Sequence, residues 1–386
     1  MMLSFSRRSG CKMDRFLPAV SFGSQFTSYN DMILDSASVA ASSFAELSLQ
    51  APRSFCENLP FDLHFEEQMK YAQSYTEHQQ HFGDECCKAK TCGESFPIPP
   101  RRRLPRYSTL GAALNLIRDA RHVIVLTGAG ISVSAGVPDF RSSNGLYETV
   151  RDEYPNLEDP QQLFDLEYFK QDPSLFYSFA HRIIPDRRTR PSLAHWFIAH
   201  MQRRGQLLRN YTQNIDGLER QAGIQRVIQC HGNFDRNICV GCGQECLDDE
   251  YVAACIENRR VPFCSHCNNP IKPDIVFFGG GLNQQFDDNI DLDLSKADLL
   301  IVMGTSLQVQ PVCNIVREIP AHVPQILINR ESVGQDGHQF DLQLLGDCDT
   351  VVLQMAQMLG WMHTSGECAG LRKMGEGVYR SAPYQE

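Results

Sequence analysis

From Tyr107 onward the apolar positions fall into two alternating rhythms. Leu110, Ala113, Leu114 and Ile117 recur at helical spacing behind the cap candidates Ser108 and Thr109, which predicts an amphipathic helix. Largely apolar runs then occupy Val123 to Leu126, Leu207 to Tyr211, Arg226 to Gln229, Ile275 to Phe278, Leu299 to Met303 and Ile326 to Ile328, several with Gly or Asn just beyond them. Such runs read as parallel strands buried on both faces. With helices between them they predict an α/β chain with a doubly wound, Rossmann-like parallel sheet, whose ligands bind beyond the carboxyl ends of the strands.

Two stretches break the alternation. One, about 142–205, is rich in aromatics and carries helical stripes such as Leu193, Trp196, Phe197 and His200; the other is the cysteine segment from Cys239 to Pro270. Both are expected to pack together as a smaller lobe, part helical and part zinc ribbon. The predicted division is a flexible extension at 1–106 and a folded domain at 107–363. Within that domain, Rossmann-like parts lie at about 107–141, 206–238 and 271–363, the helical insertion at about 142–205 and the zinc module at 239–270; a loose tail follows at 364–386. The extension has Ser36, Ser38, Ser42 and Ser43 in one stretch and Pro97, Pro99 and Pro100 in another, and the tail has scattered glycines and no core pattern.

Composition narrows the function classes. The 386 residues suggest about two to three domains. The sum of 36 Lys+Arg and 46 Asp+Glu is −10, a poor match to a phosphate backbone, so direct sequence-specific nucleic-acid binding is not expected. No apolar run approaches the ~20 residues a bilayer requires. The 15 cysteines are an odd number and four stand in CxxC pairs, which points to reduced thiols held for metal in a soluble intracellular protein. Arg7, Arg8, Lys12 and Arg15 give the start the charge of an import presequence without an amphipathic Arg face, while Arg101, Arg102, Arg103 and Arg106 have the density of a nuclear-import signal or of a solvated linker.

The strand at Val123 runs into Gly128-Ala129-Gly130-Ile131-Ser132, a loop whose backbone can approach a pyrophosphate at a helix N-terminus. It departs from G-x-G-x-x-G because the third glycine is delayed to Gly136, which disfavours an ordinary dehydrogenase. Asp139-Phe140-Arg141 follows: Phe140 can shield a reactive carbon, and Arg141 can meet a phosphate or hold the loop. Gln213, Asn214 and Asp216 end the second strand, able to bind an amide or sugar hydroxyls, although Asp216 equally suits a helix cap. His231 stands beyond the third strand, where an imidazole near neutrality suits proton transfer. Cys239-x-x-Cys242 and Cys264-x-x-Cys267, 21 residues apart, complete a tetrahedron of thiolates, so one zinc is expected to be structural and His231 to stay off it. Cys246 and Cys255 lie between the pairs as reduced structural cysteines. Val276, Phe277, Phe278 and Gly279 offer backbone to an extended peptide or form a plain core strand. Gly304-Thr305-Ser306, Asn329-Arg330-Glu331 and Cys348 lie where the adenosine half of a dinucleotide would rest.

Taken in order, Gly128 to Ser132, Gly136 to Arg141, Tyr211 to Asp216, His231-Gly232, the paired CxxC and Lys272 to Gly279 resemble the sirtuin family of NAD-dependent protein deacylases, over about Thr109 to Gly360. Asp159-Pro160-Gln161 with Phe164-Asp165, Leu208-Arg209-Asn210 and Gly346 to Asp349 are similar to its class I and the nuclear animal branch. The resemblance implies removal of acetyl groups from lysines of proteins such as histones, with NAD as co-substrate and nicotinamide and O-acetyl-ADP-ribose as products. It makes His231 the general base, with Asn214 also catalytic, and the glycine loop, Asp139 to Arg141, Gln213, Asn214, Asp216, Gly304 to Ser306, Asn329 to Glu331 and Cys348 the cofactor contacts. It implies an acetylated partner, a nuclear and also cytoplasmic location with the mitochondrion as alternative, and no membrane. Gly280 and Asn233 depart from many relatives. Leu146 and Thr149 stand where relatives that prefer acidic acyl groups carry Tyr and Arg, which favours a neutral acyl group. Longer-chain deacylation, mono-ADP-ribosyl transfer and a lapsed zinc-stabilised chromatin-binding module are the rival readings.

Overall fold

The helix predicted by the first periodic stripe is α1 (Leu110–Asp119); Thr109 rather than Ser108 caps it, its side chain accepting the N–H of Ala112. This computed structural model describes residues 101–142, 145–184, 188–334, 337–362 and 370–381. The Ser- and Pro-rich extension and the early basic residues therefore lie outside the described residues.

The apolar runs become β1 (Val123–Thr127), β2 (Leu207–Thr212) and β3 (Val227–Gln229). Further on come β4 (Gly232–Cys239), β5 (Glu245–Cys246), β6 (Ile271–Ile275), β7 (Leu299–Met303) and β8 (Gln325–Asn329). Three short strands follow: β9 (Leu342–Leu345), β10 (Arg372–Gly375) and β11 (Val378–Arg380). The large sheet has the order β10-β11-β9-β8-β7-β1-β2-β3, all pairs parallel except β10 with β11. Every residue of β1 and β7 is buried, as strands covered on both faces must be.

The covering helices supply two apolar layers. On one face α1 packs with the helix Leu193–Arg203 and the helix Cys348–Met358; on the other lie Gln284–Lys296 and the short turn Ile315–Glu318. The chain runs from β1 outward to β3 and then returns to β7 on the other side of β1, so the strand order reverses between β1 and β7, where a doubly wound sheet opens its crevice.

A second sheet, β5-β4-β6, is antiparallel. It shares one apolar cluster with the insertion: Phe164, Phe169, Phe176 and Phe179 pack with Cys239, Val252, Cys264, Ile275 and Phe277. In chain order the helices are α2 (Leu146–Glu153), α3 (Leu166–Gln171), α4 (Ser174–Ile183), α5 (Leu193–Arg203), α6 (Leu218–Gln221), α7 (Asp249–Glu257), α8 (Gln284–Lys296), α9 (Ile315–Glu318) and α10 (Cys348–Met358). Among the described residues no helix is long and apolar enough to cross a membrane.

Four expectations are corrected. The run Ile275 to Phe278 is not a strand of the large sheet: the β6 ladder ends at Ile275, its residues alternating between buried and half-buried, and Val276 to Phe278, tied to the insertion by a single parallel bridge between Phe278 and Asp165, continue as the wall of a cavity. The stripe Leu193, Trp196, Phe197 and His200 belongs to α5, which packs on the large sheet and not in the small lobe. The tail is not wholly loose, because β11 adds to β9 and brings β10 with it.

The folded part also begins before Tyr107. Arg101 is nearly buried and forms a fork with Asp341: Nη2 to Oδ2 at 2.6 Å and Nη1 to Oδ1 at 3.2 Å. It also donates to the carbonyls of Val323 and Gln339, and Arg103 donates to the carbonyls of Phe340 and Glu376. Two of the four clustered arginines therefore hold structure, while Arg102 and Arg106 are exposed. Arg101→Ala leaves the Asp341 carboxylate buried without its counter-ion, and we expect it to lose about 3–5 kcal/mol, read as a lower denaturant midpoint. An unchanged midpoint would show the pair to be dispensable.

Candidate active site

The ends of β1, β2, β3 and β7 converge on a cavity of about 830 Å³ between the sheet edge and the small lobe. From β1 come Ala129 and Gly130, from β2 Gln213 and Asn214, from beyond β3 His231, and from β7 Gly304, Thr305 and Ser306. Asn329 ends β8 and Arg330 and Glu331 follow it, and Cys348 opens α10 on the same side. Asp139, Phe140 and Arg141 close one flank; Val276, Phe277, Phe278 and Gly279 close another.

The glycine loop is shaped by close approach. A Cβ on Gly130 would stand 2.7 Å from the Cα of Gly304, so the two backbones touch where a side chain has no room. Four of the predicted cofactor contacts, Gly128, Ile131, Ser132 and Asp216, are not among the cavity-lining residues. A Cβ on Gly128 would meet Gly304 and Thr305, Ile131 is buried in the core, and Ser132 and Asp216 bond one another through Ser132 Oγ to Asp216 Oδ2 at 2.7 Å. They support the wall from behind. Asp216 also accepts the N–H of Leu218 at 2.9 Å, the cap role left open above.

Asn214 stands in front of them, its Nδ2 donating to the carbonyl of Gly128 at 3.1 Å and to Ser132 Oγ at 3.3 Å. Asp139 Oδ1 accepts the N–H groups of Arg141 and Ser142 at 3.0 and 2.8 Å, so this carboxylate folds the flanking loop. The Phe140 ring lies 5.8 Å from Tyr147 and 5.7 Å from Phe164. Tyr147 and Phe164 line the cavity with it, as do Val133, Ile215, Leu282, Asp287, Val333 and the run Val309-Gln310-Pro311. Of these, Phe164 and Ile215 stand in motifs of the family resemblance without a site role assigned from sequence, Tyr147 was hinted at only by the aromatic density of the insertion, and the others left no signal. Gly280 lines the cavity, whereas Asn233 does not and instead donates to Gln229 Oε1 at 2.7 Å. Leu146 and Thr149 do not line it, so a neutral acyl preference draws no support from them.

His231 has a defined tautomer. Its Nδ1 is 2.9 Å from the carbonyl oxygen of Gln213; a carbonyl only accepts, so Nδ1 carries the proton and Nε2 keeps its lone pair. Nε2 is buried and without a partner. Burial lowers the imidazole's pKa from the ordinary 6.5, opposed by the bond to Gln213, so the ring is neutral and basic at Nε2 near pH 7.

The four predicted cysteines also meet. Their sulfurs all lie within 4.8 Å of one another, with Cys239 to Cys267 at 3.3 Å and Cys242 to Cys264 at 3.8 Å. Sulfurs bonded at ~2.3 Å around a tetrahedral zinc stand ~3.8 Å apart. N–H groups of Gly241 and His266 and the amide of Asn269 donate to these sulfurs, as thiolates require. The donor set fits one structural zinc, and Cys246 and Cys255 lie outside it.

The Sir2 family model matches residues 128–311, which holds the glycine loop, His231 and all four zinc-site cysteines. Residues 128–311 are a Sir2-family domain. Around this Sir2 domain, similarity extends over 266 residues to the NAD-dependent protein deacetylase sir-2.1 of Caenorhabditis elegans, at 45% identity, covering 69% of this chain and 43% of that protein. It extends over 267 residues to the human NAD-dependent protein deacetylase sirtuin-1, at 48% identity, covering 68% of this chain and 35% of that protein. The chain thus spans less than half the length of these curated relatives. A solved chain described under "Structural Basis for the Mechanism and Regulation of Sir2 Enzymes" superposes with a TM-score of 0.58 at 28% identity, covering 66% of this chain and 98% of that one. The chain's large parallel sheet, which extends beyond the matched residues, and its cysteine lobe are the architecture predicted from the apolar runs and the CxxC pairs.

Proposed function

We propose that this chain removes acetyl groups from lysine side chains of proteins, histones among them, with NAD as co-substrate, giving nicotinamide and O-acetyl-ADP-ribose. The observation that carries the reading is His231 Nε2: a neutral, unpartnered base between strand ends suited to a dinucleotide and an apolar wall suited to an acyl-lysine. Its two named relatives are NAD-dependent protein deacetylases.

The residues divide the work. Ala129, Gly130, Gly304 and Thr305 present backbone at the reversal of strand order, the place for a pyrophosphate. Asn329, Arg330, Glu331 and Cys348 bound the adenosine side. Bound NAD supplies a glycosidic carbon open to attack by the acetyl oxygen. Phe140, packed between Tyr147 and Phe164, keeps water from that carbon, Gln213 and Asn214 orient the groups around it, and Asp216 acts through Ser132. His231 Nε2 takes a proton from a ribose hydroxyl, and Val276 to Gly279 lie along the peptide. The zinc stays structural, since four thiolates leave no open position.

The folded domain in this reading runs from Arg101 to Met362 with the β10–β11 hairpin added. We place the protein in the nucleus and cytoplasm, with Arg102 and Arg106 the arginines of the basic cluster left open to a receptor. Mass spectrometry of an acetylated histone peptide incubated with the protein and NAD tests the activity: loss of acetyl together with O-acetyl-ADP-ribose is expected. A mass gain on protein would favour ADP-ribosyl transfer, and peptide binding without NAD consumption a binding module; either replaces the proposal.

A further inference from the structure

Behind the cavity wall lies a polar group of which the proposed chemistry uses only Asp216. His195 on α5, Asp216 after β2 and Glu219 on α6 bring one ring nitrogen and two carboxylate oxygens within 4.8 Å of one another. His195 and Glu219 are both 0% exposed. The trio has the donor types of a metal site, but the tautomer of His195 opposes one. Its Nδ1 accepts the backbone N–H of Ser192 at 3.2 Å in a capping box, while the Ser192 hydroxyl donates to the carbonyl of Ile131 at 2.7 Å. The ring proton therefore sits on Nε2, where no lone pair is left for a cation.

The two carboxyl groups are held differently. Both oxygens of Asp216 accept, from Ser132 Oγ and from the N–H of Leu218, as a carboxylate does. Glu219 Oε1 accepts from the hydroxyl of Thr212, but its Oε2 is buried and has no partner. The ionisable groups facing Glu219 are His195 from α5, Asp216 ahead of α6 and Cys230 after β3, with Asp349 of α10 facing His195. None of these supplies a cation: burial brings His195 down to about 4. Burial first, and Asp216 second, push Glu219 up to about 8, because two adjacent carboxyls in a dry pocket do not both ionise.

Each carboxyl also anchors one hold on Asn214. The Asn214 side chain donates to Ser132 Oγ, which donates to Asp216. Its backbone N–H donates to Thr212 Oγ1 at 3.1 Å, and Thr212 donates to Glu219. We infer that Glu219 is a positioning residue which keeps a proton on Oε2 and, through Thr212, sets where Asn214 stands in the cavity. The inference rests on the use of Asn214 in the proposed reaction. Ionising Glu219 places a second negative charge beside Asp216 and strains both holds, so the working form is the protonated one.

The test compares the unaltered chain with Glu219→Gln, whose amide has the shape of the protonated acid, and Glu219→Ala. Without ligand, the folded-state pKa lies above the ordinary 4.5. The stability it confers is therefore full below about 4.5 and lost as pH rises through about 8. The melting temperature of the unaltered chain should fall across that window relative to Glu219→Gln, and its infrared spectrum should hold a protonated-carboxyl stretch that the Gln variant lacks. With NAD and acetylated peptide, turnover of the unaltered chain should drop about tenfold by about pH 9. Glu219→Gln should lose that alkaline limb, and Glu219→Ala should be slow at every pH. The inference is overturned if the Gln variant keeps the same limb and the same pH slope of melting, or fails to fold. The ligand-free measurements decide the proton on Glu219 whatever the chain does to NAD; an unaltered chain that never consumes NAD overturns the proposed activity instead.

Discussion

Exchanging His231 for Ala or Tyr should cut turnover by about 10²- to 10⁴-fold, the ordinary contribution of a positioned general base, while the protein melts as a folded domain. The side chain's one described hydrogen bond runs to the Gln213 carbonyl, so little else depends on it. Its unpartnered Nε2 is the group lost. A pH profile sharpens the test. The base works only when neutral, and burial lowers its pKa below the ordinary 6.5, so the acid limb of kcat/KM should fall below that value, with most activity already present at neutrality. The same shift has a stability consequence. A buried neutral imidazole binds fewer protons folded than unfolded, so its contribution is complete above pH 6.5 and is lost as pH falls through the lowered pKa. Full turnover in His231→Ala would refute the assignment, and an acid limb above 6.5 would place the base elsewhere.

How legible this site was in the sequence depends on which physical signal each part leaves. The strands β1, β7 and β8 announce themselves because both their faces are covered, so apolar residues run on without a polar break in their interiors, whereas β2 carries Arg209 and Asn210 at its middle and shows only in the apolar residues around them. The cysteine pairs announce themselves because metal geometry fixes their spacing. By contrast, β6 contains Lys272, Pro273 and Asp274, and the long run after it resembles a strand only because Phe277 and its neighbours must be apolar to face an aromatic cluster and a cavity. The hairpin at β10–β11 gives no periodic signal at all: Arg372 to Gly375 are exposed, and its place is set by pairing with β9 across a distance the sequence does not encode locally. Arg101 looks like a linker charge until the carboxylate of Asp341, 240 residues away, is seen to receive it. The functional residues at strand ends were legible because the fold class says where ligands bind. Which of them face the cavity, and which, like Ser132 and Asp216, stand one layer behind it, is a matter of side-chain direction that residue order does not carry.

Stripping the zinc should collapse the small lobe. A structural zinc on four thiolates contributes ~10 kcal/mol or more to folding, comparable with the whole stability of a domain. The β5-β4-β6 sheet is small, with β5 only two residues long, so the metal's share is hard to replace. The consequence reaches the cavity through shared packing. Cys239 and Cys264 lie in the same apolar cluster as Ile275 and Phe277, and Phe277 meets Phe164, Phe169 and Phe176 at ring-centroid distances of 5.8, 5.4 and 5.2 Å. Losing the cysteine end of that cluster frees the wall formed by Val276 to Gly279, while the large sheet, with its separate layers, keeps its own core. Cys239→Ser or a strong chelator should therefore abolish one bound zinc per chain, as counted by atomic emission. Peptide turnover should fall to background, and exchange of amide hydrogens should become fast in β4 and β6 but stay slow in β1 and β7. A chelated protein that keeps slow exchange in β4 and normal turnover would show that the four sulfurs do not hold the lobe through a metal.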